Sequence, residues 1–306
     1  MAALPLELLL TILAWSVSRL PLRVARGLGA ALGWVWFHVV PIRRRVTCEA
    51  LARHLGLDAD RARTVAAALY RGLGVSAMEL LWLRPDRPER LAALALVENV
   101  ERFDRARARG RGVIVVTAHY GNWDAMACSQ AERAGVLHVV TKRLSMRGID
   151  RFWQRHRGRF GVRLHDMIGS AKAVMRALRS NETVALVVDQ DTPPALGGAF
   201  VEFLGDTCAT TTAPALLAAR TGAALVPVRC ERQTDGRLRI VVDEEVELLR
   251  DARGRVDILA TTRRINGILE GWVRAHPEQW LWLHRRWKTR PDPLEIAASP
   301  KPARAT

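Results

Sequence analysis

The chain has 306 residues and carries 47 Lys plus Arg against 31 Asp plus Glu, a net charge of +16 that is nearly all arginine. A length of this order buries a substantial core, as one large domain or one domain with an appendage, and so basic a surface calls for an anionic partner: nucleic acid, acidic lipid headgroups or an acidic carrier protein. Four scattered cysteines without a C-x-x-C pair (Cys48, Cys128, Cys208, Cys230) argue against a zinc site or a disulfide framework, and the absence of any Gly-x-x-x-x-Gly-Lys-Ser/Thr or Gly-x-Gly-x-x-Gly loop leaves nucleotide chemistry unsupported.

Leu6 to Val17 is apolar apart from Glu7, Thr11 and Ser16. After an arginine-bearing stretch from Arg19 to Arg26, a second apolar run, Gly27 to Ile42, contains Trp34, Trp36 and Phe37 and is closed by Arg43, Arg44 and Arg45. No basic segment precedes the first run and no cleavage site follows it, so a removable signal peptide is not expected. Each run falls short of the roughly 20 residues that a bilayer span requires. Interfacial or partly inserted helices are expected instead, with tryptophans at headgroup level and arginines drawn to anionic lipid. The arginine cluster leads to the expectation that the remaining chain lies on the cytoplasmic side. The competing expectation is an apolar helical hairpin packed on the domain itself. The division predicted is a membrane-associated helical region over 1–45, a catalytic domain over 46–292 and a disordered, Pro- and Ala-rich tail over 293–306.

Arg44 to Arg84 reads as helical, with Asp58 placed as a cap and Gly72 near the end. Strands are then predicted at Val113–Thr117, Leu137–Thr141, Thr183–Val188, Ala224–Arg229 and Leu238–Val242. They alternate with helices at Asn122–Ala134, Ile149–Arg159, Ser170–Ser180, Ala213–Arg220 and Asp257–Ala275. Such alternation predicts an α/β fold with a mainly parallel central sheet flanked by helices, to which 238–249 adds an antiparallel edge.

Val113 to Val116 is a β-branched run bounded by Gly110 and Gly112, the pattern of a buried strand. Asn122 is placed to cap the helix that follows, and Gly135 stands where a C-cap glycine belongs. His119 and Asp124 therefore straddle a strand-to-helix turn. Within one helix they would point roughly 140° apart; across a turn they can meet, with Gly121 freeing the backbone. In that arrangement Asp124 accepts a hydrogen bond from one imidazole nitrogen while the other takes a proton from an incoming hydroxyl. The spacing is equally compatible with a satisfied polar cluster at a strand end. Asp189 and Asp191 lie beyond a second strand, so two polar clusters are expected on the rim where doubly wound sheets bind ligands.

The segment His119-Tyr-Gly-Asn-Trp-Asp124 resembles the His-x4-Asp/Glu motif of the lysophospholipid acyltransferase superfamily, in the form seen in bacterial lipid A late acyltransferases. Three further blocks match in order: Asp189-Gln-Asp191 leading to Gly198–Gly205, then Thr221–Pro227, and finally His276–Pro291. The resemblance implies a membrane-associated O-acyltransferase. Its donor would be acyl carrier protein, or coenzyme A, and its acceptor an anionic glycolipid, a lipid A precursor; no cofactor and no metal are implied, and no nucleic-acid partner. Catalysis would fall to His119 and Asp124. Asn122 lies within the motif, Asp189 and Asp191 in the active-site region, and Glu202 is a candidate partner for the histidine. An arginine expected to grip acceptor phosphate matches Arg157 best and Arg159 next.

Three other readings remain open on sequence. Asp189-Gln-Asp191 is also the pattern of a metal-dependent glycosyltransferase, and equally of a loop-capping pair. Trp280, Trp282 and Trp287, interleaved with His284, Arg285, Arg286 and Lys288, suit single-stranded nucleic acid, although the alternating tryptophans read more simply as one face of a buried strand whose cations meet lipid phosphates. A glycerolipid or mannolipid acyltransferase of the same superfamily differs only in acceptor.

Overall fold

The computed structural model describes residues 3–292. In chain order the elements are α1 (Ala3–Val17), α2 (Leu22–His38), α3 (Arg44–Leu55), α4 (Ala59–Trp82), α5 (Pro88–Leu94), β1 (Ala95–Glu98), α6 (Val100–Ala108), β2 (Val113–Thr117), α7 (Trp123–Gln130), β3 (Leu137–Thr141), α8 (Arg147–Gly158), β4 (Arg163–Asp166), α9 (Ala171–Arg179), β5 (Thr183–Val187), β6 (Gly198–Phe203), β7 (Asp206–Thr211), α10 (Ala213–Thr221), β8 (Ala224–Arg232), β9 (Leu238–Val242) and α11 (Ile258–Ala275). The tail over 293–306 lies outside the described residues.

One seven-stranded sheet, in the order β1-β9-β8-β2-β5-β3-β4, organises the chain, and β6 and β7 form a separate hairpin. Strands β8, β2, β5, β3 and β4 are parallel. The fold is thus α/β with a mostly parallel central sheet flanked by helices. Strand β9 runs antiparallel to β8 but is not the edge, because β1 pairs with it on the outside.

Each face of the sheet carries its own core, as side-chain alternation along a strand requires. Ile114, Val116, Val184 and Leu186 face a core shared with α3, α4, α9, α10 and α11. Val113, Val115 and Ala185 face the opposite core, beneath α6, α7 and α8. The stretch expected as helical from Arg44 to Arg84 is two helices broken at Gly56, whose φ is +66°. Asp58 caps the second by accepting from the Arg61 amide. Gly72 lies inside that helix rather than at its end, because apolar packing carries α4 on to Trp82.

Helix α2 rests on α4 almost backbone to backbone: a Cβ on Gly33 would sit 2.3 Å from the Tyr70 carbonyl oxygen, and one on Gly74 2.1 Å from that of Gly29. Any side chain at these positions would force the helices apart. The outward sides of α1 and α2 expose Leu8, Leu9, Ile12, Trp15, Leu32 and Trp34. Among the described residues no helix is long and apolar enough to cross a membrane.

Candidate active site

Strand β2 ends at Thr117, and the chain must turn at once to enter α7. The turn is wedged from behind by the closing segment: Gly121 donates to the Gln279 carbonyl at 2.8 Å, and Leu281 donates to the His119 carbonyl at 3.0 Å. Gly121 has φ +59°, and a Cβ there would meet the Cys230 carbonyl oxygen at 1.8 Å, so only glycine fits. Tyr120 is buried and donates its hydroxyl to the Trp272 carbonyl, while the preceding His119 is left lining a cavity. Asn122 accepts from the Ala125 amide, capping α7.

The partner of His119 is Asp189. The imidazole Nδ1 lies 2.8 Å from Asp189 Oδ1, and the His119 amide donates to Oδ2 at 3.1 Å. The indole of Trp280 donates to the same Oδ2 at 2.7 Å. Asp189 is buried, which by itself pushes its carboxyl up, but the charge and hydrogen bonds of His119, joined by the Trp280 indole, outweigh burial and hold it below the usual carboxylate range. An ionised carboxylate only accepts hydrogen bonds. Nδ1 must therefore carry the proton, which leaves Nε2 of a neutral ring with the lone pair. Gln190 Nε2 approaches that nitrogen only to 3.5 Å.

Asp124, expected to orient His119, turns elsewhere. Its Oδ1 takes the Arg157 guanidinium at 2.7 Å and its Oδ2 accepts from the Trp153 indole at 2.9 Å. The first turn of α7 faces α8, and the helix N-terminus favours a carboxylate there. His119, Asp124 and Arg157 nevertheless line the same cavity.

The remaining sequence candidates divide. Asn122 is buried, and its Nδ2 donates to Glu79 Oε2 at 2.9 Å; it builds the turn from behind. Asp191 faces the cavity, with Oδ1 accepting from the Thr289 amide and Oδ2 from the Thr289 hydroxyl. Its oxygens and those of Asp189 are engaged with different partners, so the two do not converge as a metal-binding pair. Glu202 does not point towards the histidine: Val201 and Phe203 on either side are buried, so strand alternation leaves Glu202 exposed. Arg159 is exposed at the end of α8 and does not line the cavity.

In the closing block, Trp280 and Trp282 are buried as expected but in irregular chain rather than a strand, packed edge to face with centroids 4.7 Å apart. Each such burial contributes on the order of 2–3 kcal/mol. Arg286, expected to face lipid phosphate, is turned inward instead. It is buried and donates to the carbonyls of Gln190 at 2.9 Å and Ala209 at 2.7 Å, and to the Thr210 hydroxyl, tying the loop after β5 to the β6–β7 hairpin. His284 Nε2 accepts from the Asp191 amide at 3.0 Å. The cysteines lack activated thiols: burial raises Cys128 and Cys208 and pushes Cys230 up to about 12.

Sequence reasoning missed Glu79. Fully buried, it takes Arg26 at 2.7 Å and Arg232 at 2.6 Å besides Asn122. An isolated acid in the apolar second half of a helix was the available signal.

The cavity occupies about 1150 Å³ and opens at the carboxyl ends of β2, β3 and β5. It is walled mainly by aliphatic side chains, with His119, Gln190, Asp191 and His284 among the polar groups at its rim. A histidine held in one tautomer beside a large apolar cavity is the equipment of an enzyme that moves a proton at a hydrocarbon-bearing substrate. Residues 5–289 match the family described as bacterial lipid A biosynthesis acyltransferase, and the chain belongs to that family. It is similar to the lipid A biosynthesis lauroyltransferase of Escherichia coli, 28% identical over 289 residues that span 91% of this chain and 90% of that one. The lipid A biosynthesis palmitoleoyltransferase of Escherichia coli is 29% identical over 244 residues, 76% of this chain and 74% of the relative. A phosphatidylinositol mannoside acyltransferase of Mycobacterium tuberculosis is 26% identical over 196 residues, 63% and 60% of the two chains. The protein is an O-acyltransferase.

Proposed function

We propose that this acyltransferase moves a fatty acyl group from the thioester of acyl carrier protein to a hydroxyl of a lipid A precursor glycolipid, with His119 as general base. The observation that carries this reading is the His119–Asp189 pair, 2.8 Å apart, at the rim of the apolar cavity. His119 Nε2 removes the proton from the acceptor hydroxyl, and the oxygen attacks the thioester carbonyl directly. The carbon–sulfur bond then breaks, the thiolate leaves with the proton held by the imidazolium, and an ester and a free thiol result. Asp189 fixes the tautomer and stabilises the imidazolium. No acyl-enzyme is needed.

Asp124 acts one step away. It anchors Arg157, whose guanidinium sits 15% exposed against the cavity, where it suits the phosphate of an anionic acceptor or the oxyanion of the reacting carbonyl. The apolar sides of α1 and α2, with their tryptophans and the arginines 43–45, lie on an anionic membrane surface and bring the rim to its lipid, on the cytoplasmic face of the inner membrane. In this reading 1–45 is the membrane-associated region and 46–292 the catalytic domain. The mannoside acyltransferase relatives favour a second acceptor, a mannolipid, with the same chemistry.

The test is His119→Ala. It is expected to lower transfer by roughly 10²–10⁴-fold while circular dichroism and melting stay native, and mass spectrometry of the product identifies the acceptor by a gain of one acyl chain. Near-normal transfer by a folded His119→Ala protein contradicts the mechanism.

A further inference from the structure

Between Asp189 and Asp191, whose oxygens are engaged by the protein, stands Gln190. Its backbone is clamped from three sides. Its own carbonyl accepts from the buried Arg286 at 2.9 Å; Asp189 before it is held by His119 and Trp280, and Asp191 after it by His284 and Thr289. The side chain is what remains uncommitted. Its amide nitrogen lies 3.4 Å from His119 Nδ1 and 3.5 Å from Nε2. Nearly equal distances to the two nitrogens put the amide off the lone-pair direction of either one, and both exceed the roughly 2.7–3.2 Å of an N–H hydrogen bond. Nδ1, protonated towards Asp189, has no lone pair to offer in any case. Among the described residues this amide makes no shorter hydrogen bond, and Gln190 lines the cavity beside His119. A donor on a fixed backbone thus stands next to the base with its protons unspent, and the protein bears the cost of holding it there.

We propose that Gln190 is a further catalytic residue, whose side-chain amide donates to the thioester carbonyl oxygen as that oxygen gains charge. This rests on the acyl-transfer reading and adds to it the group that stabilises the oxyanion. A hydroxyl seated on Nε2 at an ordinary separation of roughly 2.6–3.2 Å brings the carbonyl it attacks within reach of an amide 3.5 Å from the same nitrogen. An oxyanion donor works at about 2.7–3.1 Å from the position the charged oxygen takes up. As the acceptor oxygen bonds to the carbonyl carbon, its proton passes to Nε2 and the carbonyl π pair moves onto the oxygen facing Gln190. When the carbonyl re-forms, the carbon–sulfur bond breaks, and the departing thiolate takes the proton back from the imidazolium. Gln190 gains and loses no proton. Arg157 is committed at 2.7 Å to Asp124, a carboxylate turned away from His119, and is left for the acceptor phosphate.

The experiment follows steady-state transfer by the full chain from dodecanoyl acyl carrier protein to a lipid A precursor, in the wild type, Gln190→Leu, Gln190→Glu and His119→Ala. Leucine removes the donor and leaves an apolar side chain of similar reach; glutamate keeps the shape but, ionised, only accepts. Two substitutions guard against a variant that fails to fold, and melting curves identify one that does. Both are expected to lower kcat on the order of 10²–10³-fold with KM for either substrate within about threefold of the wild type. The acid limb of kcat/KM against pH, which reports the base of the free enzyme, is expected to stay in place in Gln190→Leu. A folded Gln190→Leu protein with near-normal kcat overturns the proposal, and so does a loss that comes with a displaced acid limb, because Gln190 then acts by adjusting His119. Transfer lost in His119→Ala but kept in both Gln190 variants overturns the oxyanion role alone and leaves acyl transfer standing. A wild type that transfers from no thioester, or normal transfer by His119→Ala, removes the acyl-transfer reading and the role of Gln190 with it.

Discussion

Two buried carboxylates flank the turn that ends β2, and they are held in opposite ways. Glu79 lies behind it, closed on all sides by the guanidiniums of Arg26 and Arg232 and the amide of Asn122. Asp189 lies on the rim side, where its main partner is an imidazole that is 21% exposed and lines the cavity. Arginine cannot release its proton in a protein, so the Glu79 cluster is electrically fixed. A neutral imidazole keeps a lone pair on one ring nitrogen, so the Asp189 pair retains an acceptor that the Glu79 cluster lacks. The same chemistry of paired burial therefore yields a closed scaffold in one place and, in the other, the pair proposed above to accept a proton. Access to the cavity and the identity of the cation make the difference.

The comparison breaks most visibly at Glu79. Glu79→Leu leaves Arg26 and Arg232 facing an apolar side chain, and a stability loss of about 3–5 kcal/mol is expected from urea unfolding, with transfer per folded molecule changed far less. Loss of activity without loss of stability would place Glu79 with the chemistry and erase the contrast. A smaller effect is expected on the acid side. His54, stacked on Trp287 with ring centroids 3.5 Å apart, is pushed by burial from its ordinary 6.5 down to about 4, and burial also lowers His284. Between those values the unfolded chain binds protons that the folded one does not. This contribution is therefore complete above pH 6.5 and is lost as pH falls towards 4. Asp189, whose folded value is depressed, adds a loss only below the ordinary carboxylate value of 3.8. The melting temperature is expected to fall from pH 7 to pH 4.5, less steeply in His54→Phe, which keeps the ring stacking without the titration; an equal slope in the variant assigns the acid loss to other groups.

Much of the sheet was legible because its strands are short runs rich in β-branched residues, most of them preceded by a glycine. The ranges expected for β2, β3 and β9 are the ranges found. Strands β1 and β4 were not: Ala-Leu-Val-Glu and Arg-Leu-His-Asp carry little strand signal, and both are edge strands that exist by pairing with a neighbour. At the site, sequence placed His119 and Asp189 beyond two strand ends, but the contact between them spans 70 positions and arises because β2 and β5 are adjacent in the sheet. Spacing alone pointed instead to Asp124, the acid nearest in sequence. Which way the first turn of α7 faces is decided by its packing on α8, which no local pattern reveals. Glu202 misled for a related reason, since only the pairing of the β6–β7 hairpin sets which of its residues face inward.

The central claim is that Asp189, not Asp124, holds the proton on Nδ1 of His119. Nitrogen-15 spectra of histidine-labelled protein, read at neutral pH in the wild type, Asp189→Asn and Asp124→Asn with His119 assigned by His119→Gln, test it directly. The account expects a protonated Nδ1 and an unprotonated Nε2 at His119 in the wild type and in Asp124→Asn, and loss of that tautomer preference together with transfer in Asp189→Asn. A tautomer untouched by Asp189→Asn and abolished by Asp124→Asn would contradict it.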